Sequence, residues 1–125
     1  MTTPNTPPNQ PAPESGAPVD LANPSVVVEG VSPTLLDFVA QLGWIHRALF
    51  GANLVITSGK DGQHVAGSLH AEGRAVDLRV NDLIPEHANL FVHCVTTFLV
   101  EWDCRLFDER VGPGGPHLHL EYHGT

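Results

Sequence analysis

The sequence predicts an α+β domain in which a small, mainly antiparallel sheet carries its helices on one face. Two stretches have apolar residues at helical spacing, and four short stretches are β-branched or alternate between apolar and polar residues. These stretches follow one another as helix, strand, strand, helix, strand, strand, with no visible internal repeat. This mixed order of helices and strands is typical of the α+β class.

Each helix has a recognisable start. The first is predicted to begin at Ser32 and Pro33, because serine is a good N-cap and proline suits the first helical position. Gly43 is expected to break or bend this helix, and Gly51 to end it. Pro85 opens the second helix, whose predicted apolar side consists of Leu90, Phe91, Cys94, Val95, Phe98, Leu99 and Trp102.

The strands follow from composition and alternation. Residues 53–59 are β-branched and lead into a glycine, and residues 74–80 alternate between apolar and polar. Residues 104–109 and 117–123 are the last two predicted strands. The glycine-rich stretch 60–73 has no periodicity and is predicted to be a loop.

The N-terminal part of the chain differs in composition from the rest. Residues 1–25 contain seven of the eleven prolines and no aromatic residue. Such a segment buries too little apolar surface to offset its ordering entropy. We therefore predict a Pro-rich extended arm or linker at 1–30 and a folded domain at 31–125. A domain of about 95 residues is small for an unassisted core, so a bound metal would help to stabilise it.

The charge of the chain argues against two classes of partner. Fourteen acidic residues against six basic ones give a net charge of −8, and no basic stripe is present. Nucleic acid and an anionic membrane surface are therefore not expected as partners. No apolar stretch reaches membrane-spanning length, and the N-terminus lacks the features of a secretory signal. We expect a protein made in the cytoplasm, which lysis would release or a virion would carry.

Histidine and aspartate recur in a pattern that suggests a metal site. Residues two apart in a strand point the same way, so His117 and His119 share a face. Together with His70 and Asp77, one of this pair would complete a set of two histidines and one carboxylate. Catalytic zinc sites use three such ligands. Each motif alone is more often a solvated surface, and a fold without metal would leave the three residues apart.

The stretch SGKDGQHVAGSLHAEGRAVDLR, followed by HLHLEY, resembles the D-Ala-D-Ala metallopeptidase and hedgehog zinc-binding fold. That group includes zinc D-alanyl-D-alanine carboxypeptidases, vancomycin-resistance D,D-dipeptidases and phage L-alanoyl-D-glutamate endolysins. The resemblance covers residues 54–123. It implies that His70, Asp77 and His119 are the zinc ligands and that His117 lies beside the metal to stabilise an oxyanion.

The resemblance also implies substrate-binding residues. Ser68 matches the family serine that contacts substrate, and His64 matches a histidine found near the zinc in the hedgehog domain. Many relatives have, just after Gly59, an arginine that holds a substrate carboxylate, whereas this chain has Lys60. Lysine binds a carboxylate without the bidentate fork of arginine. Arg74 and Arg79 are alternatives.

The general base departs from the family pattern. Many relatives have a glutamate three residues before the third ligand, where this chain has Pro116. A hedgehog-like alignment instead selects Asp108, with Glu109 as the second choice, and strand alternation allows only one of them to face the zinc. Glu121 is a third candidate because it shares a face with His117 and His119.

These residues lead to a functional expectation with one alternative. The expected activity is zinc-dependent hydrolysis of peptide bonds in peptidoglycan stem peptides or cross-links, of the endolysin or D,D-carboxypeptidase type. The alternative is a non-catalytic zinc-binding structural or recognition module, for example a virion component. In that case the Pro-rich arm would contact a protein assembly.

Overall fold

The structure, a computed structural model, describes residues 16–61, 68–111 and 116–124. Two helices and a mixed five-stranded sheet make up an α+β fold. The elements are β1 (Val19–Leu21), α1 (Pro33–Phe50), β2 (Leu54–Ser58), β3 (Ala75–Arg79), α2 (Pro85–Phe98), β4 (Cys104–Glu109) and β5 (His117–Tyr122). The strand order is β1-β2-β3-β5-β4, with β1 parallel to β2 and every other pair antiparallel. In the part of the chain that the structure describes, neither helix is both long and apolar enough to span a bilayer.

The sheet is apolar on one face and polar on the other. Alternation along β3 and β5 turns Val76, Leu78, Leu118 and Leu120 towards the helices, where all four are fully buried. The opposite face carries Asp77, Arg79, His117, His119 and Glu121. The structure confirms the two predicted helices and the four predicted strands. The polar face of the sheet is where a site can form.

The first strand was not expected from the sequence. The arm predicted at 1–30 includes β1, and the side chains of Ala17, Val19 and Val26 are buried in the core. The folded unit therefore includes residues well before the predicted boundary at residue 31. The reason is tertiary, since β1 gains its hydrogen bonds by pairing with β2, more than thirty positions further along the chain. The prediction for residues 1–15 lies outside the described residues.

Gly43 has a packing role and does not interrupt α1. The helix runs without a break from Pro33 to Phe50, and it ends at the left-handed Gly51 as predicted. A side chain at residue 43 would meet a methyl group of Val19 at 2.5 Å and the carbonyl oxygen of Pro18 at 3.1 Å. Glycine at this position thus allows β1 to pack directly against the helix.

The segment between β1 and α1 supports the loop that leads into the polar face. The amide of Lys60 donates to the carbonyl of Val27 at 2.8 Å, and the amide of Ser32 donates to the carbonyl of Gly73 at 2.7 Å. The Asp61 carboxylate accepts hydrogen bonds from the amides of Val27 and Gly59, at 2.9 and 2.7 Å. These contacts fix the backbone at Gly59 and Gly73, on either side of His70 in sequence.

Gly73 is expected to be sensitive to substitution. Its φ of 76° is left-handed, and a Cβ there would overlap the carbonyl oxygen of Gly30. We expect Gly73→Ala to lower the free energy of unfolding by about 3 kcal/mol, from strain plus this overlap. Gly51→Ala is the matched control, because Gly51 has a φ of 72° and a Cβ added there would meet no atom within 4 Å. Urea denaturation of both variants would contradict the close contact at Gly73 if the two costs were equal.

Candidate metal centre

Three side chains from three different elements converge on the polar face. His70 is in the turn that precedes β3, Asp77 is at the centre of β3, and His119 is directly opposite Asp77 on β5. The antiparallel register of β3 and β5 thus brings two residues 42 positions apart into contact. As the sequence predicted, His70, Asp77 and His119 form a group that could hold a metal ion.

The distances within this group suit a small tetrahedral ion. Asp77 Oδ1 lies 2.9 Å from His119 Nδ1 and 3.3 Å from His70 Nε2, and the two ring nitrogens are 3.2 Å apart. Ligands bound about 2.1 Å from a tetrahedral ion are about 3.4 Å from one another. The three atoms therefore match one triangular face of such a coordination shell, which leaves a fourth position for another ligand.

The outer ring nitrogens are held so that the inner ones present lone pairs. A carbonyl oxygen can only accept, so Nδ1 of His70 donates to the carbonyl of Gly59 at 2.9 Å. On the other ring, Nε2 of His119 donates to a carboxylate oxygen of Glu121 at 2.8 Å. A neutral ring then faces Asp77 with an unprotonated nitrogen, whereas a protonated ring donates a hydrogen bond to Asp77. Three acceptors within 3.3 Å of one another require a cation among them, either a proton or a metal ion.

The close contact of these three groups shifts the pKa of each one. Burial alone would raise the pKa of Asp77, but hydrogen bonds from His119 and His70 hold it well below its usual range. Burial alone would lower the pKa of His70 and of His119. Hydrogen bonds to Asp77, together with the Gly59 carbonyl for His70 and Glu121 for His119, raise both pKa values above normal. Protons therefore compete with a metal ion for these rings.

This competition predicts a pH dependence of the metal-free protein. A histidine whose folded pKa is raised stabilises the fold fully below its unfolded pKa, about 6.5, and loses that contribution as pH rises through the folded value. We expect the free energy of unfolding in chelator to fall as pH rises above about 6.5, and to fall less in His70→Asn. Asp77 titrates at far lower pH and does not affect this window. Urea denaturation would refute the assignment if the slope were identical in the two proteins.

A second polar pair adjoins the centre. His117 Nε2 lies 3.9 Å from Asp77 Oδ1 and 2.7 Å from a carboxylate oxygen of Glu109. The register of β4 on β5 sets Glu109 opposite His117, so both point to the polar face. His117 thus lies beside the group that could hold a metal ion.

Asp108 does not face the centre, which corrects the preferred choice of base. It is opposite Leu118 on β5, whose side chain is on the apolar face of the sheet. Its carboxylate is bound by the guanidinium of Arg110 at 2.7 Å, and this hydrogen bond is the main reason that the pKa of Asp108 is lowered. Of the two neighbouring acids, the second choice, Glu109, is the one that alternation turns towards the metal ligands.

The remaining predicted residues are distributed around the site. The hydroxyl of Ser68 accepts a hydrogen bond from the amide of His70 at 3.2 Å and so shapes the turn that holds this ligand. The end of the Lys60 side chain lies against Gly30. Arg79 is opposite His117 on the polar face. His64 lies outside the described residues.

Two further residues on this face, His123 and Phe107, were not selected from the sequence, and Glu121 has a contact that was not expected. Glu121, considered only as a base, holds His119, while His123 Nε2 donates to Glu121 at 2.8 Å. Phe107 has its ring centroid 5.8 Å from that of His119 and is 45% exposed. Continued alternation along the last strand would have indicated His123. The contact of the Gly59 carbonyl with His70 could not be predicted from the type of residue at position 59.

Fold and site together define an α+β protein with a candidate centre of two histidines and one carboxylate. The sequence matches no known family model, and it matches no curated protein.

Proposed function

We propose that this protein is a zinc-dependent peptidase that hydrolyses peptide bonds in peptidoglycan stem peptides or cross-links, of the endolysin or D,D-carboxypeptidase type. One observation carries the proposal. A group of three potential metal ligands lies on the polar face of the sheet, directly beside a hydrogen-bonded glutamate and histidine. The similarity of its motifs to the D-Ala-D-Ala metallopeptidase and hedgehog fold supports the choice of substrate.

Zinc is the ion that these ligands suit best. Two imidazoles and a carboxylate, without a thiolate, form a common catalytic zinc set, and the spacing of the three atoms fits a tetrahedral ion. When bound, zinc supplies Lewis acidity, which polarises a substrate carbonyl and allows water to lose a proton near neutral pH. His70, Asp77 and His119 would hold the ion.

Glu109 would transfer the proton, and His117 would stabilise the negative charge that develops on the substrate. The Glu109 carboxylate is on the metal-facing side of β4 and is the candidate general base, which takes a proton from water and returns it to the leaving amine. Its partner His117, 3.9 Å from a metal ligand, would donate a hydrogen bond to the oxygen on which negative charge develops. The hydrogen bond between them keeps both groups aimed at the same region.

Arg79 is the stronger candidate for holding a carboxylate of the substrate. It is on the same strand face as Asp77 and opposite His117. Its guanidinium can form the bidentate pair that suits a carboxylate, which the ammonium of Lys60 cannot. A free carboxylate is present in stem peptides, so a cationic group near the centre fits the proposed substrate.

The alternative proposal is a non-catalytic zinc-binding module. Phe107 favours it, because an aromatic residue that is 45% exposed beside the ligand His119 resembles the anchor of a recognition surface. In that case the polar face would bind a protein partner without cleaving it, for example within a virion assembly that the N-terminal arm contacts.

Digestion of purified peptidoglycan tests the proposal. The zinc-loaded protein is expected to release stem-peptide fragments, which mass spectrometry identifies, and a chelator should stop the release. The masses would also name the bond that is cleaved. Zinc binding without any released fragment would reject the peptidase and leave the recognition module.

A further inference from the structure

Glu121 connects a metal ligand to a residue outside the centre. It is two residues beyond His119 on β5, and its side chain is on the same polar face. One carboxylate oxygen accepts from Nε2 of His119 and the other from Nε2 of His123, each at 2.8 Å. The Glu121 side chain is only 17% exposed, so these hydrogen bonds are partly shielded from water.

We infer that Glu121, held in place by His123, is a positioning residue that sets His119 with Nδ1 towards the metal ion. The inference rests on the zinc-binding part of the proposed function. It assigns Glu121 a role other than that of general base, because its two oxygens are directed to the two histidines. It also extends the site to His123, beyond the group of three ligands.

The physical reason lies in the two ring nitrogens of histidine. A free imidazole can rotate by half a turn and can carry its proton on either nitrogen, so its lone pair has no fixed direction. A carboxylate that accepts from Nε2 removes both freedoms, because it holds the ring and keeps the proton on the outer nitrogen. A negative partner also makes the inner nitrogen a better donor to a metal.

The other imidazole ligand is held in the same way but by the backbone. His70 donates from Nδ1 to the carbonyl of Gly59. Each ligand ring thus has one outer acceptor, and the two rings offer opposite nitrogens, Nε2 of His70 and Nδ1 of His119. Among the described residues, the acceptor for His119 is a side chain and that for His70 is a backbone carbonyl, so the acceptor for His119 can be removed by substitution.

The backbone of His123 is held by the residue that precedes β4. Its amide donates to the carbonyl of Asp103 at 2.7 Å, at a residue whose positive φ of 56° ends the turn before that strand. With its backbone anchored, the ring of His123 limits the rotamers available to Glu121. Because one carboxylate oxygen is engaged by His123, the other remains directed at His119.

The test measures metal affinity and spectrum, not turnover. Zinc affinity is determined by competition with a chromophoric chelator for the wild type, Glu121→Ala, Glu121→Gln and His123→Ala. We expect Glu121→Ala to weaken zinc binding about 10- to 100-fold, as is usual when an outer partner of a ligand is lost. Glu121→Gln should lose less, because an amide oxygen still accepts from Nε2. His123→Ala should also lose less than Glu121→Ala, and the cobalt-substituted Glu121→Ala should show shifted ligand-field bands.

A matched control and the wild type make the outcomes separable. Glu101→Gln removes a charge from an exposed residue and should bind zinc like the wild type. If Glu121→Ala and Glu121→Gln bind zinc as tightly as the wild type, with unchanged cobalt spectra, the positioning role is rejected while the zinc site stands. If the wild type itself binds no zinc, the proposed function fails first. Glu121→Gln keeps the shape of the side chain, so a folding defect in the alanine variant would still leave a decisive measurement.

Discussion

Replacing Glu109 with glutamine is expected to abolish most peptide hydrolysis while zinc remains bound. Glutamine keeps the size of the side chain and can still hydrogen-bond His117, but it cannot take a proton from water. Loss of a general base lowers turnover by about 10²- to 10⁴-fold. Glu109 contacts His117 and is not among the three grouped ligands, so the zinc content should not change. Rates of fragment release from peptidoglycan and zinc stoichiometry measure the two effects separately.

Asp108→Asn is the matched control for this prediction. It changes a neighbouring carboxylate in the same way, but on the opposite face of β4, where the carboxylate binds Arg110. Its hydrolysis rate should stay close to that of the wild type, because no atom of the reaction is on that face. The assignment of the base would be wrong if Asp108→Asn lost activity while Glu109→Gln kept it.

Which of Asp108 and Glu109 faces the candidate metal centre is decided by the packing of the sheet and not by the sequence pattern alone. Along β4, alternation puts Cys104, Leu106 and Asp108 on one face and Arg105, Phe107 and Glu109 on the other. Either Leu106 or Phe107 could have faced the core, so periodicity alone did not select the acid. The sheet resolves this in favour of Leu106, and Phe107 remains exposed on the polar face.

The ligands themselves were predictable for a different reason. Local features, namely a glycine-rich loop before a strand and two alternating strands, indicated His70, Asp77 and one of the pair His117 and His119, and the family resemblance selected His119. The antiparallel neighbours β3 and β5 then need only the correct register to bring Asp77 and His119 together. A register in which the imidazole and carboxylate groups meet on one face is one of few possible pairings of β3 with β5.

Other parts of the molecule could not be inferred locally. The strand β1 has three residues, and it exists because β2 offers it hydrogen bonds and Gly43 allows it to approach α1. Both conditions are set more than twenty residues away. The role of the Gly59 carbonyl could not be predicted from the sequence either, because a residue of any type has a backbone carbonyl that could supply the same oxygen.

Zinc is expected to stabilise the wild-type protein strongly, and this gain should vanish in His70→Ala. A ligand that binds only the folded state at a thousand times its Kd raises the free energy of unfolding by about 4 kcal/mol. His70 is 7% exposed and supplies one of three ligand atoms, so its removal opens the coordination shell. Urea denaturation with and without zinc gives the gain for each protein. Because each variant is compared with its own zinc-free form, any cost of removing the buried ring cancels.

A histidine outside the site provides the control for this comparison. His93 is exposed on α2, and His93→Ala should show the same zinc-dependent gain as the wild type. An equal gain in His70→Ala would mean that zinc stabilises the fold elsewhere, and no gain in the wild type would mean that the three acceptors share a proton instead of a metal. The expected pattern, a gain in the wild type and in His93→Ala but not in His70→Ala, would locate the bound ion at the junction of β3 and β5. The small core of this domain would then depend on the same ion that the proposed chemistry needs.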